Sequence, residues 1–248
     1  LKILGPAEAE RLRGDLLKYN TPLLKGLRAS VAVRSRVAED RWTEARHRGV
    51  RQAVILGAGL DTFAYRSGGR DGRRIFEVDL PATQQWKRHC LRAAGIPEPV
   101  SRTYVPMDFE RSLLGESLER AGLRADEPAF ISWLGVTMYL EEEAVISTLR
   151  WIASLAPGSG VVFDYGVIPS LLSPRERKAV ETLSARASEH GEPWKSLFDP
   201  ASVTEMLRGM GFSELEDLGP EQLNERYLSR RLDGLRKSGV SRLVCAGV

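Results

Sequence analysis

From residue 51 onward, short apolar runs alternate with longer stretches in which apolar residues recur every three or four positions. That alternation is the mark of a parallel sheet covered by helices. The runs predict strands at 52–56, 74–78, 103–106, 129–134 and 160–164, with two more at 214–217 and 242–246. Before them, residues 7–50 carry Leu12, Leu16, Leu23, Leu27 and Val31 at helical spacing among many charges, and Thr21-Pro22 divides that stretch in two.

The segments between strands carry helix signals. Pro81 opens a helix that ends at Gly95. Glu141-Glu142-Glu143 put negative charge at the start of another, which stops before Ala156-Pro157-Gly158. Ser173-Pro174-Arg175-Glu176 reads as a capping box with proline at the first helical position, starting a helix that reaches about His190 before Gly191. Asp199-Pro200 opens a last helix that Gly211 closes. Residues 169–199 are long for a connection between sheet elements and are expected to form an inserted lid over the strand ends. The expected organisation is a single domain over 1–248. It comprises an N-terminal helical extension (1–50), a cofactor-binding core (51–168), the lid insertion (169–199) and the C-terminal part of the core (200–248).

Composition narrows the function. At 248 residues and 42% hydrophobic content the chain can bury one sizeable core. Its 36 basic and 33 acidic residues leave a net charge of +3, dispersed along the chain, which argues against a nucleic-acid partner. Cys90 and Cys245 are the only cysteines and form no C-x-x-C pair, so neither a disulfide framework nor a structural zinc is expected, and a cytoplasmic location is. No apolar run approaches the ~18 residues that span a bilayer, so no membrane partner is expected. The chain begins at Leu1, from which a trimmed N-terminus is expected. Oligomeric state stays open.

The chemistry centres on VILGAGLDTFAYR (54–66) and IFEVDLP (75–81). Glycines 57 and 59 follow the first strand, where a missing side chain lets backbone approach a ligand. Asp79 ends the second strand twenty residues after Gly59, placed to accept hydrogen bonds from ribose hydroxyls. Dinucleotides and S-adenosylmethionine both use such an arrangement. A dinucleotide fingerprint needs glycine at position 62, where this chain has Thr62. Asp61 would repel a pyrophosphate yet tolerate a cationic ammonium or sulfonium. Asp108, after the third strand, is placed to accept from an adenine amino group while Met107 or Phe109 packs the ring. The structural alternatives are a common tight turn for the glycines and capping roles for Asp79 and Asp108.

Taken together, RSRVAEDRW (34–42), QAVILGAGLDTFAYR (52–66), IFEVDLPATQQWK (75–87), VPMDFE (105–110) and FISWLGVTMYL (130–140) resemble the leucine carboxyl methyltransferase-like family of S-adenosylmethionine-dependent methyltransferases, in particular its bacterial small-molecule branch. The resemblance covers residues 30–164 most clearly. It implies an α/β, Rossmann-like class I methyltransferase fold with a seven-stranded sheet of order 3-2-1-4-5-7-6. It further implies that Arg34 reaches the cofactor carboxylate, that Gly57, Ala58 and Gly59 line the methionine moiety, that Asp79 holds the ribose and that Asp108 and Phe109 hold the adenine. Asp61, Glu77, Leu80, Met107, Leu134 and Gly135 complete the expected cofactor set. Eukaryotic members carry glutamate where this chain has Leu134, so a protein C-terminal leucine is set aside as substrate.

The expected activity is O-methylation of a small, secondary-metabolite-like acid, releasing S-adenosylhomocysteine. A carboxylate, with pKa near ~4, is already ionised, whereas a phenol near ~10 needs a base. Acceptor contacts are expected from Trp133, Tyr139, Tyr165, Trp194 and Arg230, and Tyr139 and His190 are the catalytic candidates. His190 equally suits a helix C-terminus by its charge, and Trp133 and Trp194 equally suit packing. The alternatives are a hydroxyl methyltransferase of a polyketide-like metabolite, a nicotinamide-dependent oxidoreductase, and a cofactor-binding protein without catalysis. No metal site is expected.

Overall fold

The structure, a computed structural model, describes residues 2–14, 20–66 and 72–248. Two N-terminal helices, α1 (Pro6–Gly14) and α2 (Pro22–His47), flank the Thr21-Pro22 division, with the Thr21 hydroxyl accepting from Leu24 N. Leu16 lies outside the described residues. The strands are β1 (Gln52–Leu56), β2 (Arg74–Asp79), β3 (Arg102–Pro106), β4 (Ala129–Trp133), β5 (Gly160–Gly166), β6 (Glu214–Leu218) and β7 (Ser241–Gly247). They form one seven-stranded sheet of order β3-β2-β1-β4-β5-β7-β6, in which only β7 runs antiparallel to its neighbours. This is the expected class I methyltransferase sheet.

The expected helices are present as α4 (Pro81–Ala93), α6 (Glu142–Ala153), α7 (Pro174–Glu189) and α8 (Pro200–Gly209). Ser173 and Glu176 form the capping box reciprocally. Three further helices carry weaker signals: α3 (Phe63–Arg66), α5 (Leu114–Arg120) and α9 (Pro220–Leu228). The first two are too short to show a 3.6-residue period, and the polar run of α9 hides its apolar side.

Alternation along the strands divides the core between the two sheet faces. Val54, Leu56, Ile131 and Trp133 pack on one face with Leu118 of α5, Leu149 of α6 and Leu207 of α8. Ala53, Ile55, Phe130 and Val162 face the other way, against Val33, Val37 and Trp42 of α2 and Leu223 of α9. Trp42 packs edge-on to Phe63, with ring centroids 6.1 Å apart, and obliquely on Phe130 at 5.7 Å. Full burial of side chains such as Val33 and Val37 contributes roughly 1.5–3 kcal/mol each, and it clamps α2 across the sheet. The helix residue that matters for the site, Arg34, is thereby held at the carboxyl ends of β1 and β4.

Candidate active site

The glycine turn after β1 is built from backbone bonds. Gly57 N and Ala58 N both donate to Val78 O, at 2.8 and 3.1 Å. Gly57 has φ +66°, and a Cβ there would collide with the Val136 side chain, so only glycine fits. Asp79 closes the turn from β2: one carboxylate oxygen accepts from Gly59 N at 2.6 Å and the other from Leu80 N at 2.7 Å. Asp61 Oδ1 accepts from Phe63 N at 2.6 Å, fixing the entry to α3.

Over this turn lies a cavity of about 510 Å³, walled by Arg34, the backbone from Ile55 to Thr62, Leu134 and Gly135. Arg34 donates through Nη1 to Asp164 Oδ2 at 2.9 Å, and Gly135 N donates to Asp164 Oδ1 at 2.5 Å. Asp164 is buried within β5, two residues before its end, and its one carboxylate fixes both the arginine and the turn after β4. Gly135 has φ +73°, and a Cβ on it would meet the Arg34 guanidinium.

A second cavity, about 150 Å³, adjoins the first and shares Val31, Arg34 and Gly135 with it. Its walls come from α2 (Leu23, Leu27, Ser30), the 3-10 turn Thr137–Tyr139, α7 (Ala179, Leu183), Trp194, and residues 238–241 leading into β7. The lid segment thus contributes to a wall before rejoining the sheet, where Phe198 N donates to Gly166 O at 2.8 Å. Lys195 holds it from outside, with Nζ 2.6 Å from Glu110 and 3.3 Å from Glu141; its ammonium keeps the Glu110 carboxyl below the usual range.

Of the residues expected to hold cofactor, Arg34, Gly57, Ala58, Gly59, Asp61, Leu134 and Gly135 are gathered on the larger cavity, and Asp79 adjoins it through Gly59. Leu80 is exposed beyond it. Met107 is buried in the core, where its N–H donates to Asp79 O. Asp108 accepts from Glu110 N at 2.9 Å, a turn-capping role, and Phe109 packs against the core beside it. Glu77 is a correction to the expected set: it is fully buried, 2.9 Å from the equally buried Lys87 of α4, and away from the cavity walls. Burial pushes its carboxyl up, against the pull of Lys87.

The acceptor set needs more correction. Tyr139 and Trp194 line the smaller cavity; the Trp194 Nε1 atom is itself buried, without a hydrogen-bond partner. Trp133 and Tyr165 do not reach it, because strand alternation turns both into the core at 0% exposure; the Tyr165 hydroxyl donates to Asp217 at 2.8 Å. His190 is an exposed helix-ending residue, and Arg230 is exposed beyond α9. Two residues went unassigned by sequence. Asp164 is one, signalled only by an acid ending an apolar strand. Lys237 is the other: it is buried, and its Nζ donates to Ser238 O at 3.2 Å, Ser241 Oγ at 3.2 Å and Ser241 O. Burial lowers its ammonium to about 8. No described helix is long and apolar enough to cross a membrane.

A model of the family described as leucine carboxyl methyltransferase matches residues 7–153. Among curated proteins, "Putative S-adenosyl-L-methionine-dependent methyltransferase YktD" of Bacillus subtilis is 36% identical over 189 residues, covering 75% of this chain and 62% of that protein. A "Putative S-adenosyl-L-methionine-dependent methyltransferase" of Mycobacteroides abscessus is 37% identical over 136 residues, 54% of this chain and 42% of that protein. The matched stretch therefore spans about half of those curated relatives' length. In a crystal structure described as a "putative methyltransferase" from Thermobifida fusca, the fold is shared with TM-score 0.66 at 21% identity, over 99% of this chain and 91% of that one. With its family model matched over more than half its length and the expected sheet in place, the chain belongs to the leucine carboxyl methyltransferase family.

Proposed function

We propose that the protein transfers a methyl group from S-adenosylmethionine to the carboxylate of a small-molecule acceptor, with the larger cavity holding the nucleoside and the smaller one the acceptor. One observation carries the acceptor assignment. The two cavities meet at Val31, Arg34 and Gly135, and among the described residues the smaller one has no carboxylate or imidazole on its walls. A nucleophile there has no wall residue of the usual basic kinds to deprotonate it, which suits a group already ionised at neutral pH.

The larger cavity fits the cofactor by the chemistry of its walls. The glycine backbone leaves room that a Cβ would fill, Arg34 suits the amino-acid carboxylate, Asp61 suits the ammonium, and Asp79 suits ribose hydroxyls. When bound, S-adenosylmethionine supplies a methyl group on a sulfonium, open to in-line displacement by an oxygen nucleophile. Arg34, fixed by Asp164, orients the reacting end at the boundary between the cavities. Trp194, Leu183 and Tyr139 exclude water from the acceptor side. The two free cysteines suit a cytoplasmic setting.

A hydroxyl acceptor is the second reading, and Lys237 favours it: an amine lowered to about 8 lies one hydrogen bond behind the cavity wall, through Ser241 Oγ. The two readings predict opposite pH slopes. Calorimetry with S-adenosylmethionine, S-adenosylhomocysteine and NAD tests the cofactor; nucleoside binding without NAD binding is expected. Methyl transfer to matched acids and phenols then tests the acceptor. Turnover of the acids, without a rise through pH 8, is expected; turnover of the phenols alone, rising through pH 8, would replace the carboxylate with a hydroxyl. NAD binding in place of the nucleoside would overturn both readings.

A further inference from the structure

Lys237 is a buried cation without a carboxylate in contact. Its three hydrogen bonds all go to neutral oxygens: the carbonyls of Ser238 and Ser241 and the Ser241 hydroxyl. The charged groups around it come from four elements; the carboxylates of Asp164 and Glu176 attract its charge from a distance and make their hydrogen bonds to other groups. Asp164 of β5 holds Arg34 and Gly135 N. Glu176 of α7 accepts from the Ser173 hydroxyl and from Gly239 N at 2.7 Å. Arg34 of α2 and Arg242 of β7 add positive charge, and Arg242 is paired with Asp217. From α9 comes only neutral Asn224, bonded to the Lys237 backbone. Buried charges are ordinarily paired, because desolvation of a lone ion is costly.

This charge lies against the smaller cavity. Ser238, Val240 and Ser241 form part of its wall, and Ser241 Oγ accepts from Lys237 Nζ. A hydroxyl that accepts from a cation is left with its own O–H to donate, and that donor is strengthened by the charge behind it. A hydroxyl donor backed by a buried cation whose own contacts are all neutral describes a place for an anion.

We propose that Lys237, acting through the Ser241 hydroxyl, is the positioning residue that makes this cavity select an anionic acceptor over its neutral isostere. The inference deepens the carboxylate reading and rests on the smaller cavity being the acceptor site. A merely structural role, stapling residues 237–241 by their carbonyls, would be blind to the charge of the ligand.

The test uses benzoate and benzamide, of nearly equal shape and different charge, binding to the protein saturated with S-adenosylhomocysteine. Tryptophan fluorescence reports occupancy beside Trp194, and dissociation constants are measured at pH 7 and 9.5. Benzoate stays ionised throughout, so a change in its affinity belongs to the protein. Wild type is expected to prefer benzoate by roughly tenfold at pH 7, a preference that fades by pH 9.5 as the ammonium of Lys237 loses its proton. Ser241→Ala and Lys237→Met are each expected to abolish the preference and its pH dependence by weakening benzoate alone.

Preference for benzoate that persists at pH 9.5 or in Ser241→Ala, or no preference at pH 7, overturns the proposal. Failure of benzoate to bind does so too. Should Lys237→Met not fold, Ser241→Ala and the wild-type pH series decide. Loss of preference alongside intact nucleoside binding would leave the methyltransferase reading standing; failure to bind the nucleoside would remove that reading itself.

Discussion

Replacing Asp79 separates the nucleoside site from the turn that builds it. Its carboxylate makes two short, charge-assisted bonds to backbone amides, 2.6 Å to Gly59 N and 2.7 Å to Leu80 N. Leu80 is exposed, so water replaces the second bond in Asp79→Ala, and the loss falls mainly on Gly59. A charged hydrogen bond of this kind contributes about 1.5–3 kcal/mol, and partial exposure brings the expected loss of stability down to about 1–2 kcal/mol. Binding should suffer more. If the same carboxylate holds two ribose hydroxyls, removing it costs about 3 kcal/mol or more, a hundredfold or greater weakening. Asp79→Asn keeps one oxygen for Gly59 and is expected to lose stability by less than ~1 kcal/mol while still weakening the nucleoside about tenfold. Calorimetry with S-adenosylhomocysteine reads affinity, and urea unfolding without ligand reads stability. An Asp79→Ala protein that unfolds more readily yet binds at wild-type affinity would show that Asp79 only forms the turn.

Three other perturbations bear on the frame around the site. Glu77→Leu or Lys87→Met alone strands a buried charge and should cost about 3–5 kcal/mol, while the double variant should recover most of it; additive losses in urea unfolding would contradict the pairing. Gly135→Ala, at φ +73° and against the Arg34 guanidinium, should weaken nucleoside binding by at least about tenfold by calorimetry; unchanged affinity would mean Arg34 does not contact it. For Lys237 the folded value of about 8 lies below the ordinary 10.5, so the folded chain holds fewer protons than the unfolded one between those values, and its contribution to stability rises with pH there. Relative to Lys237→Met, wild type should gain up to about 3 kcal/mol across that window, and a flat difference in urea unfolding between pH 8 and 10 would refute the burial of its charge.

The sheet was legible because its strands are short apolar runs punctuated by glycine and proline, and burial on both faces demands that pattern. Boundaries moved by no more than two residues: β5 runs on to Gly166 because it pairs with β7 across its length, a partner that local sequence does not announce. Of the helices that escaped notice, α3 and α5 hold four and seven residues, too few for a period to emerge, and α9 is masked by its polar run. Trp133 and Tyr165 were misread for a related reason. The sequence places them near the strand ends, but which way a strand-end side chain points follows from the register with its neighbours, and here that register turns both into the core.

The glycine turn was legible because backbone geometry itself selects the residue: Gly57 and Gly135 stand at positive φ where a Cβ would collide. Asp164 and Lys237 have no such signature. Asp164 derives its importance from a group distant in the chain, Arg34 lying 130 positions before it, and Lys237 from burial against Ser238 and Ser241. Their common property is charge taken out of water, which the sheet tolerates only where the charge has work to do or a partner to meet. Asp164 meets Arg34 and the Gly135 amide, and the two cavities join at that point. Lys237 touches only neutral oxygens, and the cavity it backs is the one proposed to hold the acceptor. The glycine turn on the larger cavity is thus written largely in local backbone requirements, whereas the burial of Asp164 and Lys237 is not. Family motifs accordingly concentrate before residue 153, while the groups expected to set acceptor charge lie mostly after it.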